Sequence, residues 1–371
     1  MQKVEVQPRN KSKFDLLLVA TTFSLVLFGL LTIYDASPIA ALRDFGDKLY
    51  YFRNQLIWAS LGIGVMGFFS LFNYHKILKL SPFILLFSVV SLIAVLVPHV
   101  GTEVYGARRW INISGFTFQP SELAKLSIIF YATYIMSKLK NFKIRIFDAA
   151  IVYIFPVFVA TALVVLQPDL GTALIFLAVS LSIYFIGGAP LWHFFLSLPI
   201  VVAGALAAII AEPYRLTRLK SFLDPSHDPQ GASYQINQIL TAISSGGFLG
   251  VGIGAARSKF AFIPEVHSDA ILAIVIEELG FLGAVFLLSL FLFLIYRGIV
   301  IAKEAKDFEG KTLAMGIVAL LAIQSLFNFA SVVALVPLTG IPLPFISYGG
   351  SSLLITMAAI GILVNIKLNS K

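Results

Sequence analysis

The sequence predicts an all-α polytopic membrane protein: about ten transmembrane helices, with a large extracytoplasmic loop between helices 7 and 8. Two observations carry that prediction. Of 371 residues, 58% are hydrophobic and only 12% charged, and the mean hydropathy is +0.92. A water-soluble globule of this size has too little interior for so much apolar side chain, and disorder is excluded by the same figures. The apolar residues also fall in continuous runs of about 20 rather than in alternation, which argues for spanning helices and against a transmembrane barrel. Helices satisfy their own backbone polar groups, as lipid requires.

The first three runs cover 15–35, 55–73 and 80–98. The next three cover 119–137, 148–166 and 170–187, and the last four 191–211, 269–296, 312–336 and 345–366. Thirty-three Phe and thirteen Tyr suit lipid-facing and interfacial positions. The tail over residues 1–14 is polar and the first run is long enough to span, so no cleavable signal is expected. Place the N-terminus in the cytoplasm, and sixteen of the 27 Lys and Arg fall on inner segments. Ten fall outside, half of them in one long loop that the positive-inside rule discounts, and Lys125 lies within a span. Both termini are therefore expected to be cytoplasmic, in a single integral membrane domain over 1–371. The net charge of +8 is spread in short clusters that orient helices, so nucleic-acid binding is not implied. With no cysteine there is no disulfide framework, iron–sulfur cluster or thiolate zinc site, and the five His are scattered.

Residues 212–268 form a 57-residue outer segment with turn-rich stretches such as Asp224-Pro225 and Ser245-Gly246-Gly247. Loops this long between packed helices are usually functional. The glycine-rich stretch 247–254 is spaced somewhat like a dinucleotide fingerprint, but it follows no strand of a βαβ unit, and that reading is rejected. No Walker motif is present, so no nucleotide is expected, and no internal repeat is visible.

Ionisable residues at membrane depth cost about 2.5–3.5 kcal/mol each on insertion scales, which makes them the informative positions. Glu122 and Lys125 share one helical face early in the fourth run. They are either a self-neutralising pair that bonds a neighbouring helix or a charged wall of an outward-opening cavity. In Gln167-Pro168-Asp169, Pro168 suits a helix start and Asp169 a first turn, and helix-start chemistry is the stronger reading of the residues alone. Asp269 opens the eighth run after Pro264-Glu265-Val266-His267-Ser268. Its spacing also favours helix-start structure over catalysis, while Glu265 and His267 add proton-transfer capacity. Partial burial would raise the Asp269 pKa and make it a better base. Glu277 and Glu278 diverge by about 100° on that helix, so at least one should find a partner or a water-lined space. Arg108, Arg109 and Trp110 precede the fourth run. They read as an interfacial anchor or as guanidinium recognition of an anionic pyrophosphate lipid. The stretch from Pro342 to Ser352, with two prolines, Ser347 and paired glycines, implies a broken or re-entrant start to the tenth run. All these features fall on the outer side. Their convergence would build one cavity open to the outer leaflet, but the residues alone do not separate transport from catalysis.

Taken together and in order, these motifs resemble the SEDS family (shape, elongation, division and sporulation), the polytopic peptidoglycan glycosyltransferases. The resemblance runs from about the second span to the end. It rests on Gly-Ala-Arg-Arg-Trp-Ile (106–111), Phe-Gln-Pro-Ser-Glu-Leu-Ala-Lys (118–125), Gln-Pro-Asp-Leu-Gly-Thr (167–172), Asp-Pro-Gln-Gly (228–231) and Tyr-Gln (234–235). It rests further on Ser-Gly-Gly (245–247), Pro-Glu-Val-His-Ser-Asp (264–269), Glu-Glu-Leu-Gly (277–280) and Pro-Leu-Pro-Phe-Ile-Ser-Tyr-Gly-Gly-Ser-Ser-Leu (342–353). Gly-Ala-Arg-Arg-Trp and the form of the last motif look more like the division-type FtsW branch than the elongation-type RodA branch. Ser268 and Ala270 depart from the Thr and Phe that usually flank the family's essential Asp.

The resemblance implies polymerisation of lipid II at the outer face of the bacterial cytoplasmic membrane, with inversion and loss of undecaprenyl pyrophosphate. Asp269 matches the family's catalytic aspartate, a general base for the acceptor 4-hydroxyl. The leaving pyrophosphate needs positive charge, from a divalent cation (Mg or Mn) or from Arg108, Arg109, Lys125, Arg215, Arg218 and Lys220. Glu122, Lys125 and Asp169 match polar positions of the family's cavity, and Trp110 matches a position needed for activity. Glu265, His267 and Ser347 complete the expected substrate-binding set. The expected partners are lipid II, the nascent glycan strand and a class B penicillin-binding protein. Two alternatives remain at this stage: a lipid II flippase, which should show two-sided access and often repeats, and a cell-division scaffold docking through the long loop.

Overall fold

The computed structural model describes residues 14–104, 106–113, 116–139, 150–260, 263 and 266–370. The tail over 1–13, positions 140–149 and both Pro264 and Glu265 lie outside the described residues. The elements are α1 Leu16–Ala36, α2 Pro38–Phe45, α3 Tyr50–Leu71, α4 Tyr74–Ala94, β1 Gly101–Val104, β2 Ala107–Ile113, β3 Phe116–Phe118 and α5 Pro120–Leu139. After a π-helical turn at Ala150–Ile154 come α6 Phe155–Leu166, α7 Leu170–Ile186, α8 Leu191–Ile210, α9 Pro213–Leu223, α10 Tyr234–Gly246, α11 Ile271–Glu304, α12 Phe308–Val332 and α13 Gly350–Leu368.

Seven of these helices, α1, α3, α4, α8, α11, α12 and α13, are long and apolar enough to cross a membrane. The apolar helices at Ile151–Leu166 and Leu170–Ile186 are shorter. α5 has the length, at 20 residues, but carries Glu122, Lys125 and Lys138. Short polar caps set several starts: Asp15 accepts from the Leu18 N–H at 3.0 Å, and Asp307 caps α12 through the Gly310 N–H, each satisfying an orphan donor of the first turn.

The last helix is the axis of the bundle. The apolar window of α13 is 89% buried, and it packs along α3 and against α5, α11 and α12. At the other extreme α8 is only 6% buried. It is pinned near its start, where the Tyr184 hydroxyl lies 2.7 Å from His193 Nδ1, and is otherwise peripheral.

Three features differ from the sequence-based expectation, and a fourth, the broken start before the last helix, agrees with it. The region before α5 is a three-stranded antiparallel sheet in the order β1-β2-β3, so the fold is not purely helical. Gly101 pairs with Ile111 and Ile111 with Phe118. Runs this short of β-branched and aromatic residues fall below the length at which alternation stands out. Residues 212–268 are not a bare loop, because they hold α9 and α10. The eighth run is broken: Gly280 has φ 66° and ψ −165° inside α11. The tenth helix starts only at Gly350, and the irregular chain before it is buried, with Ile341, Leu343, Phe345 and Ile346 all at 3% exposure or less. Irregular backbone at such depth is tolerated when it packs in protein.

Candidate active site

The non-helical segment 333–349 is the hub of the site. Two side chains one turn apart on α12 stitch it down. Gln324 donates through Nε2 to the Pro342 carbonyl at 3.0 Å. Asn328 donates through Nδ2 to the Ile341 carbonyl at 2.8 Å and to the Asp269 carbonyl at 3.0 Å. Asn328 is fully buried. It therefore ties Asp269, two residues ahead of α11, to the hub, and a side chain that holds two carbonyls at such a junction is costly to remove.

Asp269 is half-buried two residues ahead of α11, close to Gly340: a Cβ added at Gly340 would lie 3.8 Å from Asp269 Oδ2. His267 is buried, with its ring 4.0 Å from that of Tyr51 on α3 and 5.6 Å from that of Tyr348. The Tyr348 N–H donates to the His267 carbonyl at 2.9 Å. Ser347 Oγ is turned inward, accepting the Leu343 N–H at 2.8 Å. Gln55 on α3 brackets the same turn, donating to the Ser347 carbonyl at 3.4 Å and accepting from the Gly349 N–H at 3.2 Å.

Lys125 and Glu122 form a buried ion pair of 2.7 Å, with side chains 2% and 4% exposed. Lys125 also donates to Gln324 Oε1 at 3.1 Å. A continuous chain thus runs from Glu122 through Lys125, Gln324 and the hub to Asn328 and the backbone of Asp269. Of the two readings of the pair, this geometry is that of a self-neutralising pair bonded to a neighbouring helix.

Asp169 caps α7, accepting from Thr172 N at 3.0 Å and Thr172 Oγ1 at 2.9 Å. Gly171 brings that helix end onto the hub, since a Cβ there would lie 2.9 Å from the Thr339 carbonyl oxygen. The cations are more committed than their spacing suggested. Arg109 donates to the carbonyls of Gln167, at 3.0 Å, and Pro168. Arg215 is buried and donates to the carbonyls of Ala208 at 2.8 Å and Val165 at 3.0 Å. Arg108 pairs with Glu103 at 3.0 Å on the sheet surface. Arg218 donates to the Leu338 carbonyl at 3.2 Å while largely exposed, and Lys220 is exposed on α9. Trp110 is half-buried in β2, paired with Thr102. Glu277 and Glu278 both find partners. Glu277 accepts from the N–H groups of Arg257 at 2.9 Å and Ser258 at 3.3 Å. Glu278 accepts from Ala256 N at 3.2 Å and from Lys259 Nζ at 3.2 Å. Among the described residues no cluster of three His, Cys, Asp or Glu is arranged to hold a metal ion.

The hub therefore gathers Asp269, Asp169, Arg218, Lys125 and Glu122 around one end of the bundle, with Arg109 and Arg215 as braces behind them. Gln55, Tyr51, Gln324, Asn328 and Tyr348 belong to it and were not singled out from the sequence. The signal for two of them was present: Gln324 and Asn328 are polar residues four apart in an otherwise apolar run.

This is the architecture of a multi-pass membrane protein with a polar site at a bundle end. The chain belongs to the FtsW/RodA/SpoVE family, described as "Cell cycle protein", which matches residues 15–371. It is 39% identical over 366 residues to "Stage V sporulation protein E" of Bacillus subtilis (strain 168), covering 98% of this chain and 99% of that one. It is 37% identical over 373 residues to "Probable peptidoglycan glycosyltransferase FtsW" of Trichlorobacter lovleyi, covering 100% of this chain and 97% of that one. A solved structure described as "Structural coordination of polymerization and crosslinking by a peptidoglycan synthase complex" superposes with a TM-score of 0.78 at 27% identity, covering 95% of this chain and 97% of that one.

Proposed function

We propose that the protein is a peptidoglycan glycosyltransferase that polymerises lipid II at the outer face of the cytoplasmic membrane. Ten spans, cytoplasmic termini and an outer segment over 212–268 complete the arrangement. The observation that carries the reading is Asp269: a half-buried carboxylate at a helix start, its backbone held by Asn328, facing a hub where other polar groups converge. Asp269 removes the proton from the acceptor sugar 4-hydroxyl. The freed oxygen attacks the anomeric carbon from the face opposite the leaving group, and undecaprenyl pyrophosphate departs with the bond electrons. A base in hydrogen-bond reach contributes about 10²–10⁴-fold.

Arg218 on α9, exposed and bonded to the Leu338 carbonyl of the hub, is the cation best placed to meet the pyrophosphate, whereas Arg109 and Arg215 hold the walls. A divalent cation (Mg or Mn) would supply further charge if it binds with the substrate. The prenyl chain has a matching surface. A groove of about 410 Å³ between α7 and α8 is lined by apolar residues including Leu174, Leu181, Phe194 and Phe327, and Phe327 adjoins Asn328. The structural relative is a synthase complex, which supports a class B penicillin-binding protein as partner.

The test is direct. Purified protein, alone and with a candidate partner, is supplied with labelled lipid II and the products are sized. Wild type makes glycan strands. Asp269→Asn elutes as a folded protein and makes none. Polymerisation by Asp269→Asn at the wild-type rate would remove the general-base assignment, and translocation of lipid II without polymerisation would favour a flippase.

A further inference from the structure

The reaction described above makes no use of the glycine-rich stretch 247–254, yet this stretch completes α11. The break at Gly280 interrupts the helical ladder where the Phe281 N–H would meet the Glu277 carbonyl and the Leu282 N–H the Glu278 carbonyl. The glycine stretch supplies all four missing partners. Val251 N–H donates to Glu277 O at 3.0 Å and Gly252 N–H to Glu278 O at 3.1 Å. Phe281 N–H donates to Gly247 O at 3.0 Å and Leu282 N–H to Phe248 O at 3.3 Å. Four glycines with positive φ (247, 250, 252 and 254) make the close approach possible.

The side chains of the same stretch point away from the protein. Phe248 is 63% exposed, Leu249 74%, Val251 43% and Ile253 82%. They extend an apolar face that continues down α11, where the Phe248 ring stacks on Phe281 at 5.8 Å.

Two charge clusters give the level. At one end Arg297 of α11 meets Asp15 of α1 at 2.6 Å. At the other Lys259 lies 2.9 Å from Asp35 and 3.2 Å from Glu278. From residue 15 to residue 35 along α1 a helix rises about 30 Å, and from 281 to 297, past the break in α11, about 24 Å. A bilayer's hydrocarbon core is about 30 Å thick. The two clusters thus bracket one hydrocarbon thickness, and a Cβ at Gly254 would lie 4.0 Å from Asp35 Oδ1, which puts the glycine stretch at one edge of it.

We propose that residues 247–254 form a lipid-inserted wedge, with Phe248, Leu249, Val251 and Ile253 in the acyl region of the outer leaflet and the backbone bracing the break in α11. The occupant of this face is lipid because the face is continuous with the membrane-facing side of α11. Irregular chain is normally barred from hydrocarbon by unpaired backbone groups. Here part of that cost is removed by the broken helix itself. The wedge also sets the depth of the first turns of α11, which begin two residues after Asp269, and that consequence, like the choice of the outer leaflet, rests on the proposed function.

The chain has no cysteine, so single substitutions give unique labels. Leu249→Cys and Ile253→Cys carry a nitroxide in vesicles of phosphatidylethanolamine and phosphatidylglycerol. Leu292→Cys serves as a lipid-facing reference and Ser226→Cys as an aqueous one. Oxygen collides preferentially with labels in hydrocarbon, and a nickel chelate with labels in water. At both wedge positions the oxygen-to-nickel ratio should match Leu292→Cys and exceed Ser226→Cys several-fold. A ratio like that of Ser226→Cys overturns the proposal. Protection from both reagents overturns it too, by showing a protein surface over the wedge. Neither outcome bears on whether Asp269 is the base.

Discussion

The buried pair of Glu122 and Lys125 invites a double-substitution cycle, because its two readings make opposite demands on the partner left behind. The side chains are 4% and 2% exposed and 2.7 Å apart, and Lys125 also bonds the neutral Gln324. Removing one member of such a pair leaves a buried charge without compensation, at a cost of about 3–5 kcal/mol. Removing both with groups of similar volume is often near neutral. Glu122→Gln and Lys125→Met should therefore each destabilise by about 3–5 kcal/mol. The double variant should recover most of that loss, giving a coupling larger than either single loss between neighbours in one network. The assay is unfolding in detergent for all four proteins, followed by lipid II polymerisation with those that remain folded. A double variant as unstable as the two single losses added together would refute the pairing argument. A double variant that is stable yet inactive would show that the charges meet substrate as well as each other.

Three further outcomes follow from the same contacts. Asn328→Leu keeps the volume but leaves the carbonyls of Asp269 and Ile341 without their donor, at about 1–3 kcal/mol each; unfolding and polymerisation should both suffer, and wild-type values in both would contradict the proposed bracing of Asp269. Gly280→Ala places a Cβ 2.4 Å from Gly250 N and 2.6 Å from Phe248 O on a φ of 66°, so backbone strain alone should cost about 1–3 kcal/mol, read as a lower unfolding midpoint. Asp307 is pulled up by burial but held lower than its ordinary 3.8 by bonds from the Gly310 N–H, His75 and Tyr74. Its stabilisation is therefore present above the unfolded value and is lost as pH falls through the folded one. Asp307→Asn should flatten the acid limb of an unfolding-against-pH curve below about pH 4, and an unchanged limb would contradict this.

Much of the fold was legible because lipid leaves few choices. Each apolar run overlies a helix in the structure, since a chain in hydrocarbon must close its backbone bonds locally. The misses occur where that constraint lapses. β1 to β3 lie in a connection outside the spans and are too short for their alternation to register. The break at Gly280 was hidden because its backbone bonds are completed from a segment some thirty residues away, and no local pattern reports a partner so distant. Proline and glycine did mark the late start of α13, because those residues limit local geometry whatever they pack against.

The site was legible as a set of residue types and much less so as a set of roles. Arg109, Arg215, Arg218 and Lys220 look alike as cations near an outer surface, yet only the last two reach solvent broadly. The others donate to backbone carbonyls at places where three elements meet, as Arg215 does at the ends of α6 and α8. What separates a brace from a ligand is thus the presence of orphan carbonyls at helix ends, which depends on tertiary approach. Asn328 shows the converse. Its amide carries no charge and sits mid-helix, so charge-led reading passed it by, although a buried amide donating to two segments specifies geometry as firmly as an ion pair does. In a bundle of this kind, neutral polar residues spaced by one turn within an apolar run are as informative as the charges, because burial obliges each of them to find a partner.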